Sequence, residues 1–328
     1  MKLTDFANGG FAISTDNGKT WDCTYSSGLP ENSTPMKMAL VYPENEDDVT
    51  IYVATLNNGF YVSKNSGKTF TAMNDGIERV KYKEADEKYH YILAADIGVK
   101  DGRIFGMTAR SAYNNSEQPG KVYEFKNNKW EEIELPKNVM IPRDIYYHKG
   151  TLYISSTPIK IYDYKNGTDF SNYGGGILAY KDGKFERILD ETIGGTGVAF
   201  DSKDIMYVSD FNGNIYRKEH NGELIKIYDS YHSISKGIEL SDDNTLYMAS
   251  LGGGVLRLEG LQNLRAILLG DIDGNGEIDI NDLARLKLHI IEKINLDDES
   301  KKRADLDEDS NITINDLALL KLTLIGLK

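Results

Sequence analysis

At 328 residues the chain is long enough for one large domain and a small one. Its formal net charge of −13 argues against a nucleic-acid partner, and no apolar run approaches the ~18 residues of a membrane span. The single cysteine, Cys23, excludes an intrachain disulfide.

The N-terminal stretch MKLTDFANGG lacks the apolar core of a signal peptide. Residues 1 to about 260 are rich in Tyr, Gly, Val and Ile, in short alternating runs broken by Gly, Asn and Asp. That pattern predicts an all-β domain built from hairpins. A unit recurs: an apolar strand ending near small residues, a Gly-rich turn, a second strand, a polar hairpin and a third strand. Examples are TIYVATLNNGFYVSKNSGKTFTAM from Thr50, DIMYVSDFNGNIYRKEHNGELIKIY from Asp204 and TLYMASLGGGVLRL from Thr245. Two further copies, around GRIFGMTAR and GTLYISSTP, carry inserts at 111–119 and 158–173. A glycine opens the second strand at Gly10, Gly59, Gly120, Gly176, Gly213 and Gly254. Intervals of about 40 to 60 residues match one four-stranded propeller blade.

The fold class is therefore mainly β: a β-propeller over residues 1–262, with about five blades and an N-terminal half blade. The chain opens at the third strand of a blade, and the last blade lacks its fourth strand. Either the two ends close on each other, or the front of the propeller is missing. Two hairpins carry a sharper motif. Ser14, Asp16, Gly18, Thr20 and Trp21 resemble the Asp box of sialidase-like propellers, and Ser63, Asn65, Gly67, Thr69 and Phe70 form a variant with Asn. The carboxylate or amide accepts from turn amides and Gly tolerates positive φ, so the box is a structural device.

Three aspartates stand near strand ends in different repeats, where a propeller gathers side chains: Asp96, Asp144 and Asp210. They are the candidate catalytic residues, since glycosidic hydrolysis generally uses two carboxylates. Tyr162, Tyr164 and Tyr173, in the longest insert beside Asp163 and Asp169, are the candidate glycan contacts. The only tryptophans, Trp21 and Trp130, fall where blade-closing aromatics belong. A sialidase would need an arginine cluster and a nucleophilic Tyr, and arginines are sparse here.

The C-terminal region changes character. Residues 271–282 read DIDGNGEIDIND, with oxygen ligands at loop positions 1, 3, 5, 9 and 12 (Asp271, Asp273, Asn275, Asp279, Asp282), Glu277 at position 7 and Gly276 at the turn. This is the ligand order of an EF-hand calcium loop, with Asp at position 12 instead of Glu. Close carboxylates repel one another unless a hard cation lies between them. The order returns about 34 residues later as Asp305, Asp307, Asp309, Asn311, Thr313 and Asp316, with Ser310 at position 6. Each loop leads into a similar segment, LARLKLHII and LALLKLTLI, that reads as a short helix.

The duplicated loop and helix closely resemble a type I dockerin over residues 270–326, the core of a small all-α calcium-binding domain at 263–328. The resemblance implies two calcium ions and docking onto a cohesin module of a scaffoldin, the backbone of a cellulosome-like complex. It also implies that the cohesin meets Ile280, Asn281, Lys287 and Leu288, and their repeats Ile314, Asn315, Lys321 and Leu322. Dockerin-bearing proteins are secreted, so an extracellular location is expected and the chain is read as a fragment or a mature region. Joined to Asp-box blades, the dockerin is similar to the architecture of cellulosomal glycoside hydrolases, in particular the xyloglucanases of family 74. The expected function is polysaccharide degradation, by a hydrolase acting on a plant β-glucan such as xyloglucan. The alternative is a non-catalytic propeller that binds glycan or protein.

Overall fold

A computed structural model describes residues 16, 19–20, 28–30, 33–42, 48–80, 92–113, 116–162, 170–219, 222–230, 232–241, 243–251, 254–261, 264, 268–275 and 277–326. Two compact units are present, one of Met1–Leu224 with Asp229–Leu261 and one of Gln262–Lys328 with Ile225–Tyr228.

The first unit is a five-bladed β-propeller of antiparallel sheets. Blade 1 comprises Pro35–Val41, Thr50–Thr55, Gly59–Ser63 and Thr71–Ala72; blade 2, Ala94–Lys100, Arg103–Thr108, Val122–Lys126 and Lys129–Ile133. Blade 3 comprises Pro142–His148, Thr151–Ser156, Gly176–Lys181 and Lys184–Leu189; blade 4, Gly195–Phe200, Met206–Asp210, Asn214–Lys218 and Leu224–Asp229. Blade 5 has three strands among the described residues, Ile234–Leu240, Leu246–Ser250 and Gly254–Leu258. The expected N-terminal half blade, with Gly10 and Trp21, lies largely outside the described residues.

Tight turns explain why the chain folds back where it does. Asp101-Gly102, Asn127-Asn128, Lys149-Gly150 and Asp182-Gly183 all have positive φ at both residues. Each forms a two-residue loop between paired strands. Mirror-image turns of this kind match the twist of the flanking strands.

Blades pack through alternate apolar side chains. Trp130 of blade 2 lies 4.6 Å, ring to ring, from Phe60 of blade 1, and its indole N–H donates to the Met73 carbonyl. Gly106 makes that contact possible, since a Cβ there would come within 2.8 Å of both rings. Phe105, Met107 and Val122 meet Ile145, Leu152 and Ile154 between blades 2 and 3. Ile177 and Leu189 meet Val198, Met206 and Val208 between blades 3 and 4.

The innermost strand of every blade carries an irregularity at the same place. Register shifts fall at Pro35/Lys37, Ala94/Asp96, Pro142/Asp144, Gly195/Gly197 and Ile234/Lys236. A β-bulge re-aims the side chain it displaces. Lys37, Asp96, Asp144, Gly197 and Lys236 are therefore equivalent register positions around the propeller axis. The two expected inserts are hairpins outside the blades, Ser111–Tyr113 with Ser116–Gln118 and Ile159–Tyr162 with Phe170–Tyr173.

The second unit contains three short helices: α1 (Ile280–Ile290), α2 (Asp298–Ala304) and α3 (Ile314–Leu324). Asp279 caps α1 and Thr313 caps α3, each in a capping box closed by Asp282 or Asp316 three residues on. Ile272, Leu286, Leu296, Ala304, Leu306, Leu317 and Leu320 form the core, each large side chain contributing about 1.5–3 kcal/mol by burial.

Candidate functional site

The bulges bring Asp96 and Asp144 together on the propeller axis, and with them Lys37, which sequence reasoning missed. The Lys37 ammonium lies 2.6 Å from Asp144 Oδ1 and 3.1 Å from Asp96 Oδ1. Asp96 is wholly buried, Asp144 nearly so, and Asp96 Oδ2 accepts the Ile145 backbone N–H at 3.1 Å. Burial pushes the Asp96 acid up to about 8, the neighbouring Asp144 adds to the shift, and Lys37 opposes it. Burial works against the Lys37 charge, but Asp144 and Asp96 together outweigh it and hold the amine protonated. The Lys37 ammonium bridges the two carboxyls. Raised to about 8, the Asp96 carboxyl keeps its proton at neutral pH.

Asp210 stands apart from this group. It is buried at the end of a blade 4 strand and accepts from Asn214 N at 2.9 Å, Asn214 Nδ2 at 2.8 Å and Tyr216 Oη at 2.9 Å. Those bonds fix a turn. The Asp boxes are likewise local: Asp16 accepts from Thr20 N at 2.8 Å and Thr20 Oγ1 at 2.6 Å, and Asn65 accepts from Thr69 N at 2.9 Å.

Two concavities are relevant. One, of about 230 Å³, lies along the axis between innermost strands and includes Lys37, Lys100, Asp144, Tyr146 and Glu239 in its wall. The other, an open groove of about 620 Å³, runs beside the longest insert between Asn138, Lys160, Tyr173, Glu191 and Thr192. Asn138 Nδ2 donates to Glu191 Oε2 at 2.8 Å, fixing one wall. Of the three tyrosines singled out, Tyr173 lines this groove. Tyr162 ends the strand Ile159–Tyr162, while its side chain, Tyr164, Asp163 and Asp169 lie outside the described residues.

The two acidic loops are built alike. Carboxylate oxygens of Asp271, Asp273 and Asp282 lie within 4.8 Å of one another, as do those of Asp305, Asp307 and Asp309. Asn275 N donates to Asp271 Oδ1 at 3.0 Å; one repeat later Asp309 N donates to Asp305 Oδ1 at 3.1 Å. Asp282 accepts from Asp273 N at 3.0 Å and Asp279 N at 2.8 Å, while Asp316 accepts from Leu306 N at 2.8 Å and Thr313 N at 2.7 Å. Burial raises the Asp305 acid, with Asp316 and Asp307 adding to it and the Ser310 and Asp309 amides opposing it. Converging hard oxygens fit calcium, and these residues would hold it. Asp279 and Thr313, at position 9, are engaged in capping their helices. Ser310 adopts φ 69 at the position where glycine is usual; Gly276 falls outside the described residues.

Around these loops an apolar and basic stripe faces solvent. Ile280 and Ile314 are 67% and 68% exposed, and Leu288 and Leu322 are each 39% exposed. Asn281, Lys287, Asn315 and Lys321 are also exposed, so none of the eight is core packing between helices. Ile291 and Ile325, which helical periodicity alone would place with the core, join the same stripe at 51% and 66% exposure. Their signal was positional, for they too are one repeat apart.

Residues 269–325 match the dockerin type I domain. Dockerins bind calcium and imply a cohesin partner, and proteins that carry them are typically extracellular or cellulosome-bound. No curated protein sequence matches the chain. Among solved structures, a GH74 enzyme from Niastella koreensis is similar at 15% identity and a TM-score of 0.53, over 80% of this chain and 42% of that one. YCF48 from Cyanidioschyzon merolae is similar at 14% identity and 0.51, over 78% of each chain. The extracellular domain of BT4673 from B. thetaiotaomicron is similar at 12% and 0.50, over 82% of this chain and 32% of that one. This chain thus spans less than half of the GH74 enzyme and about a third of the BT4673 domain. At such identities the likeness is one of fold. No helix among the described residues is long and apolar enough to cross a membrane.

Proposed function

We propose that the chain is a secreted component of a cellulosome-type assembly for polysaccharide degradation. Its C-terminal unit binds two calcium ions, one per loop, and docks onto a scaffoldin cohesin through Ile280, Asn281, Lys287 and Leu288 or their repeats. The observation that carries this reading is the duplicated loop with the same exposed side chains one repeat apart. The propeller holds a plant β-glucan such as xyloglucan along the groove walled by Tyr173, whose ring offers a stacking face, with Asn138 and Lys160 as hydrogen-bonding partners.

If the propeller hydrolyses this glucan, Asp144 is the axial carboxylate that reaches a cavity, and with Asp96 wholly buried its partner comes from elsewhere. A glycan-binding propeller without catalysis is the second reading. The engagement of both Asp96 and Asp144 by the Lys37 ammonium favours it.

Reducing-sugar release from a panel of plant polysaccharides, with calcium present and cohesin binding verified, tests the pair of readings. Release establishes a hydrolase. Retention on soluble glucan without release leaves a binding module. Neither release nor retention by folded protein overturns the polysaccharide role.

A further inference from the structure

The axial cavity is separate from the groove beside Tyr173. Its wall combines two ammonium groups, Lys37 and Lys100, with two carboxylates, Asp144 and Glu239. Lys37 spends part of its donor capacity on Asp144 and Asp96, yet its side chain is 31% exposed. Lys100 lies over the Tyr146 ring, 5.2 Å from its centre. Ile97, Phe105 and Leu152 supply apolar surface beneath these polar groups.

Charge balance selects the ligand class. A free anion would meet Asp144 and Glu239, and a free cation would meet Lys37 and Lys100. A hydroxyl both donates and accepts, so vicinal hydroxyls can bond a carboxylate and an ammonium at once. Hydrogen bonds to charged groups are also the stronger kind. At about 230 Å³ the cavity has room for a sugar ring.

We infer that the axial cavity is a subsite for a single neutral sugar residue, held by Lys100 and Glu239 at its rim and by Lys37 and Asp144 at its floor. Resting on the polysaccharide role proposed above, this makes the axis a site for a chain end or a released monosaccharide. The groove takes the extended chain.

The test uses the full chain with calcium, titrated calorimetrically with glucose, galactose and xylose, and with glucuronate and glucosamine as charged controls. A neutral monosaccharide should bind better than either charged one. Glu239→Gln and Lys100→Met should each weaken it at least tenfold while the thermal midpoint holds. Absence of monosaccharide binding, a preference for a charged control, or affinity indifferent to both substitutions overturns the inference. Retention on soluble glucan, measured in parallel by affinity electrophoresis, separates the two failures. Retention without monosaccharide binding defeats the axial subsite alone; loss of both defeats the polysaccharide role as well.

Discussion

Lys37 and Asp144 stand 107 residues apart, on the innermost strands of blades 1 and 3, and their charged groups meet at 2.6 Å. The contact ties non-adjacent blades across the axis. Replacing Lys37 with Met leaves the buried carboxyls without their cation. Breaking one partner of a buried pair typically costs about 3–5 kcal/mol. Urea unfolding should show a loss of that order for Lys37→Met, and Lys37→Met with Asp144→Asn should recover part of it. A loss under about 1 kcal/mol would mean that solvent screens the pair.

Asp96 gives the propeller a pH signature. Its acid is raised to about 8 in the folded protein, against 3.8 as the ordinary value. The folded state therefore retains a proton that the unfolded chain releases. The stabilisation from this proton is complete below pH ~4 and declines as pH rises to ~8. Asp96→Asn keeps the shape and stays neutral. It should flatten that decline and match or exceed the parent's thermal midpoint at pH 9. Calorimetry at pH 5, 7 and 9 checks this, and an unchanged slope would assign the effect to other groups.

Asp271→Ala combined with Asp305→Ala removes position 1 from both loops. Calcium-dependent cohesin binding should be abolished, and the helical far-UV signal should no longer respond to calcium. The propeller's thermal transition should stay in place. Cohesin binding that persists in chelator would sink the docking assignment.

The one-repeat offset between Ile280 and Ile314 makes a paired prediction. If either copy can present the surface, Ile280→Asp alone should weaken cohesin binding less than about threefold, because Ile314 still serves. Ile280→Asp with Ile314→Asp should cost more than about 2.7 kcal/mol, or roughly a hundredfold. Surface plasmon resonance on single and double variants separates this from a binding mode that uses one copy only.

The blades were legible in the sequence because their causes are local. Alternation marks the strands, and turns such as Asp101-Gly102 and Asp182-Gly183 mark the hairpins within a few residues. The calcium loops were legible for the same reason, since six oxygen positions fall within twelve residues. The axial group was only half legible. Asp96 and Asp144 could be suspected from their strand ends, but nothing local shows that they meet or that Asp210 instead caps a turn. Lys37 was missed because a lysine in an exposed-looking strand carries no sign of burial. Its signal was comparative: Lys37, Asp96 and Asp144 each stand four residues before the end of their strand, ahead of Val41, Lys100 and His148.

The register shift common to the five innermost strands has a consequence for how such a propeller diverges. Each blade contributes one position to the same height on the axis, so the chemistry there reads as a short word: Lys, Asp, Asp, Gly, Lys. One of its letters is fixed by backbone crowding, for a Cβ on Gly197 would approach the Gly237 Cα to 2.6 Å. Lys37, Asp96 and Asp144 are constrained together, because buried charge is tolerated only when it is balanced. A lysine and an aspartate can exchange blades without altering that balance. Relatives of this fold should therefore preserve neutrality around the axis more faithfully than the identity of any residue in it, and a search for kinship should count charge per ring before it aligns letters.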